Sequence, residues 1–127
     1  MAVRKYLHQD FKAWHARLLA RRDIEAALDK FTRQSRKASH GQCDRVHDIM
    51  ESKLVHDFVG PDGSRFLDGP DEELRLVWGF AFDSFDPHHM KPGRRGISST
   101  AIYLILMNLP PDLRYREENM FLVGMIP

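Results

Sequence analysis

"RLVWGFAFDSFDPHHMKPGRRGISSTAIYLILMNLPPDLRYRE", residues 75–117, is the stretch whose reading decides the fold. Between Leu74 and Asp83 the apolar residues recur every second position. In an extended strand Leu74, Leu76, Trp78, Phe80 and Phe82 therefore share one face, and Arg75, Val77, Gly79, Ala81 and Asp83 share the other. The connection "DPHHMKPGRRG", with Pro and Gly, predicts a long hairpin loop. Ile97 to Leu109 then predicts a second strand, apolar on both faces over its later half and so placed inside a sheet. Two prolines in "NLPPDLRYREEN" remove backbone donors and end that strand, and Asn119 to Ile126 predicts a third.

Upstream the period is helical. Phe11, Trp14 and Leu18 fall on one face, and Ile24, Ala27, Leu28 and Phe31 repeat the same spacing, which predicts two amphipathic helices or one bent helix over residues 10–36. Asp23 is the expected N-cap between them. After the polar stretch "RQSRKASHGQ", Asp44 to Phe58 reads as a third helix whose apolar face is Val46, Ile49, Met50 and Leu54. "GPDGSRFLDGPDEE" is turn chemistry, with two Gly-Pro and two Asp-Gly pairs. The expected class is α+β: a helical region over 1–58, a loop over 59–73, and a three-stranded antiparallel meander over 74–127.

A chain of 127 residues, 43% hydrophobic and 29% charged, holds one domain with a modest core. The net charge of +1 hides an asymmetry: residues 1–48 carry 11 Lys+Arg against 6 Asp+Glu, and residues 49–127 carry 8 against 12. The basic half suits an anionic partner or a solvated helical face. One cysteine, Cys43, excludes an internal disulfide framework and fits a reducing compartment. The basic N-terminus lacks a secretion-signal core, and the longest apolar run, Ala101 to Met107, is far short of the roughly 20 residues that span a bilayer. A soluble intracellular chain without a membrane partner is expected.

Asp83 stands where an apolar strand meets its turn. A carboxylate on the rim of a rigid strand can reach a divalent cation, and an aspartate entering a hairpin needs no metal at all, so the residues alone leave both roles open. Asp86, before Pro87, reads as a turn-former. His40, Cys43 and His47 have a zinc-like spacing but fall short of the four ligands of a structural site. Lys91, Arg94 and Arg95, with His88 and His89, form a basic loop fit either to contact a phosphate backbone or to lie solvated at a hairpin tip. No Gly-rich phosphate loop and no G-x-S-x-G elbow is present.

These residues carry a resemblance. Asp83 with Phe85 and Pro87, Ser98, the run Asn108 to Pro111, Leu113 to Tyr115, Glu118 to Met120, and Gly124 to Pro127 look like the opening of the catalytic domain in Tnp2-like transposases of CACTA-type (En/Spm) elements, particularly the fungal ones. "ARLLARRDIEAALD" and "VHDIMESK" resemble the helical lead-in to that domain, so the likeness covers roughly residues 16–127. It implies a ribonuclease H-like fold of which the meander is the first part. It also implies a nuclear location and Asp83 as the first acid of an Asp-Asp-Glu triad that binds two Mg2+ or Mn2+ ions for strand cleavage and joining. Asp86 stands where the family has Asn, and His88 where it has Phe. No other carboxylate here occupies a matching position, so the expectation is a fragment that is not catalytically competent alone and binds no metal tightly. The other readings are a non-catalytic module that binds DNA or a transposase chain, and a small self-associating structural protein.

Overall fold

The computed structural model describes residues 8–38, 45–70, 72–85 and 99–126. Helix α1 spans Phe11–Leu19 and α2 spans Arg22–Ala38. Asp10 caps α1, its carboxylate accepting from the Ala13 amide at 2.7 Å. Two helices form rather than one bent helix. Asp23 is not the cap between them: it lies inside the first turn of α2, where its carboxylate receives two hydrogen bonds from the Arg21 guanidinium at 3.2 and 2.7 Å. An acid in that turn also faces the positive end of the helix dipole.

The third helix expected over 44–58 breaks up. A 3-10 turn at Ile49–Glu51 is followed by a single α-turn, α3, at Lys53–His56. The cause is local: Asp48 accepts from the Met50 amide at 2.8 Å and Ser52 from the Val55 amide at 3.4 Å, and two caps within five residues restart the chain instead of continuing it. The expected apolar face goes with the helix. Met50 is buried, but Val46, Ile49 and Leu54 are exposed.

The loop that follows holds an isolated bridge, Val59 to Arg65, closed around Gly63, whose φ of +77° suits glycine. The Arg75 guanidinium organises its far side, donating to Glu73, Asp62 and the Phe66 carbonyl at 3.0, 3.3 and 3.1 Å. Arg36 on α2 donates to the Gly69 and Pro70 carbonyls and so ties the helix to this loop.

Three strands then form one antiparallel sheet in the order β1-β2-β3, with β1 at Trp78–Phe85, β2 at Ser99–Leu106 and β3 at Met120–Ile126. A short helix, α4 (Pro111–Arg114), and a 3-10 turn at Glu117–Asn119 separate β2 from β3. The meander is as expected and β2 is its central strand. All three strands start later than the pattern suggested, or end earlier, and Asn108 is the reason at the β1–β2 end. Its side chain takes the Val77 amide and the Arg75 carbonyl, groups that would otherwise extend the ladder.

The β1–β2 register pairs Trp78 with Leu106, Phe80 with Leu104, Phe82 with Ile102, and Asp83 with Ala101. Opposed residues share a face, so Trp78, Leu104, Leu106 and the β3 residue Phe121 point together, toward Trp14, Leu18, Ile24 and Leu28 of the two helices. Ile24, Leu106 and Leu109 are fully buried at the centre. Ring contacts weld the layers: Phe11 meets Phe121 edge-on at 5.0 Å and Trp78 at 5.6 Å, and Trp14 lies 5.1 Å from Phe121. Each such pair is worth about 1 kcal/mol beyond its buried area. The helices cover only the Trp78 end of this face. Phe80 and Phe82 are each 66% exposed.

Candidate functional site

Asp83 lies near the C-terminal end of β1, five residues past Trp78 and thus beyond the helix-covered part of the strand. Its side chain is on the face opposite the helices, exposed, with Ala101 across the ladder and Ala81 two residues along its own strand. Ala81 and Ala101 leave room beside the carboxylate, Phe85 stands on the same face two residues further along, and pairing along the whole of β1 holds the backbone. That is the position a strand-rim metal ligand needs. A two-ion site needs several carboxylates around ions about 4 Å apart. Among the described residues no group of three His, Cys, Asp or Glu side chains is arranged to hold a metal ion. Asp83 is a single exposed carboxylate, and the described residues build no such group around it.

The other residues singled out from sequence divide between the two sides of that boundary. Asp86, His88, His89, Lys91, Arg94, Arg95 and Ser98 lie outside the described residues, as do His40 and Cys43. His47 is described, and its backbone amide donates to Glu51 Oε2 at 2.8 Å.

Sequence reasoning overlooked a polar corner. The segment Asn108–Asn119 carries three buried polar side chains, Asn108, Arg114 and Asn119. Asn108 joins β2 to the entry of β1: Oδ1 accepts from Val77 at 2.7 Å and Nδ2 donates to the Arg75 carbonyl at 3.1 Å. Arg114 donates to the Leu109 and Met107 carbonyls at 2.9 and 2.7 Å, and pairs with Asp48 at 2.8 Å. Asn119 donates to the Leu113 carbonyl at 2.8 Å and accepts from Arg21 at 2.6 Å. The turn from β2 to β3 is thereby fixed to β1, to the 45–52 segment and to the α1–α2 junction. The one signal available in the sequence was polar residues embedded in an apolar neighbourhood, "ILMNLPPDLR", and such a pattern does not reveal its partners.

Charge around the helices is open to solvent: Lys12, Arg17, Arg22, Lys30 and Arg33 are exposed. No helix among the described residues is long and apolar enough to cross a membrane. Comparison with protein-family models, with curated proteins and with solved structures finds no match to this chain.

Proposed function

We propose that the chain contributes the first strands of a ribonuclease H-like nucleotidyl-transfer domain of the CACTA transposase type, with Asp83 as the first Mg2+ or Mn2+ ligand. The observation that carries this reading is the placement of Asp83, exposed on the open rim of β1 in a sheet ordered β1-β2-β3. Alone, residues 1–127 do not cleave DNA, because phosphoryl transfer by two ions needs ligands beyond Asp83. The companion Asp and Glu are supplied by sequence outside residues 1–127, and the substrate is transposon-end DNA in the nucleus.

The test is to sequence the transcript and genomic DNA past the codon for Pro127. A frame that continues into further strand and helix patterns, supplying an Asp and a Glu, supports the proposal. An intact stop followed by unrelated sequence removes the catalytic reading.

A second reading is favoured by the exposed cations of the two helices, Lys12, Arg17, Arg22, Lys30 and Arg33. In it the chain is a non-catalytic module that holds DNA through its phosphates. Retention on duplex DNA should then fall steeply with salt, each phosphate contact contributing a slope of about −0.9 in log K against log salt. A flat response would exclude it.

A further inference from the structure

We propose that two copies of this chain pair through β1, antiparallel about a two-fold axis at Ala81, to make one continuous six-stranded sheet. β1 is an edge strand, with β2 on one side and no described strand on the other. Its unpaired backbone donors and acceptors select a β-strand as the occupant. The two edges of the sheet are not equivalent. β1 pairs without interruption from Trp78 to Phe85, whereas the register of β3 shifts opposite Ile102 and Tyr103, a bulge that spoils an edge as a template.

The strand is complementary to itself in this register. Phe80 of one copy falls opposite Phe82 of the other, so the two stacked rings of each copy, 6.4 Å apart and 18° from parallel, join into a four-ring cluster. On the other face Ala81 meets Ala81, and Asp83 meets Gly79. The two Asp83 carboxylates are then offset by four residues along the strands, about 13 Å, beyond the screening length of about 8 Å at physiological salt. A register centred on Asp83 would instead oppose the two charges. Antiparallel pairing also sets the helix-covered Trp78 end of each β1 beside the uncovered Ser84 end of the other. The exposed Phe80 and Phe82 thus gain a neighbouring helical layer that their own chain does not supply. This interface does not rest on the nucleotidyl-transfer reading and competes with it, because further strands of a ribonuclease H-like sheet would take the same edge of β1; the dimer is a property of residues 1–127.

Light scattering on the purified 127-residue chain across a dilution series tests the proposal. A dimer is expected, with a dissociation constant raised by about thirtyfold in Phe82→Lys. Phe82 is exposed in the single chain, so a far-ultraviolet spectrum unchanged by the substitution shows that the variant still folds. In a Cys43→Ser background, Ala81→Cys should form an intermolecular disulfide under mild oxidation, and Ser84→Cys, which faces Trp78 of the second copy, should not. A monomer at all concentrations, a dimer indifferent to Phe82→Lys, or cross-linking equal at positions 81 and 84 would each overturn it.

Discussion

The buried Arg114 and the half-buried Asp48 form an ion pair with 2.8 Å between Nη2 and Oδ2, although they are 66 residues apart in the chain. The pair is the bolt between the 45–52 segment and the turn that follows β2. Asp48 also caps the 3-10 turn through the Met50 amide, and Arg114 also holds two backbone carbonyls, so each partner serves structure on its own side.

Asp48→Ala leaves the Arg114 guanidinium buried without its counter-charge, and unfolding free energy should fall by about 3 kcal/mol. Urea denaturation measures this. A loss below about 1 kcal/mol would place the pair among exposed bridges of small value and contradict the burial of Arg114.

Asn108 acts as a substitute backbone, one amide group answering both Arg75 and Val77. Asn108→Leu keeps the volume and removes both hydrogen bonds, at a cost of about 2 kcal/mol. Hydrogen exchange gives the specific signature: the Val77 amide should lose protection while amides at the centre of β2 change little. Uniform loss across the sheet would mean that the substitution disturbs packing rather than this link.

The strands were legible because alternation is a backbone property: one face of a strand is apolar when it is buried, and Leu74 to Phe82 alternated cleanly. Parity along β1 was correct, yet it could not show that the helices reach only Trp78 and leave Phe80 and Phe82 bare, since coverage depends on helix placement. The helix expected over residues 44–58 failed for a different reason. Its 3.6-residue pattern was genuine, but Asp48 and Ser52 are better caps than interior residues. At the candidate site Asp83 could be placed from the strand pattern, whereas the partners of Asn108, Arg114 and Asn119 are long-range and leave no periodic trace.

The broken helix gives a paired prediction. Leu106 and Leu54 were both expected to pack inward, but Leu106 is fully buried and Leu54 is 83% exposed. Leu106→Ala should cost about 3–5 kcal/mol through lost transfer energy and a cavity, and Leu54→Ala should stay within about 0.5 kcal/mol. Comparable losses at the two positions would restore the amphipathic helix and refute the exposed placement of Leu54.

Acid should loosen the 59–73 loop. The Ser64 hydroxyl and amide, and after them the Arg75 guanidinium, hold the Asp62 carboxyl below the usual carboxylate range. A depressed folded-state value means that the stabilisation is present above the unfolded carboxylate value of about 4 and disappears as pH falls through the folded value. Asp62→Asn should therefore lower the urea midpoint at neutral pH, with the gap to the parent closing on acidification. A gap that widens toward low pH would reverse the sign of the argument.

Asp83 is the test of whether site and scaffold are separable. Its carboxylate is exposed, so Asp83→Asn should change unfolding free energy by no more than about 0.5 kcal/mol. Polar residues that stabilise this fold, such as Asn108 and Arg114, are buried and bonded to the backbone, and substituting them will cost stability. If the metal-ligand reading holds, a longer protein carrying the companion acids should lose metal-dependent strand cleavage on Asp83→Asn while keeping its thermal midpoint. Loss of stability in step with loss of cleavage would instead make Asp83 a structural residue of the β1 hairpin, since an exposed ligand can be removed without unfolding the strand that presents it.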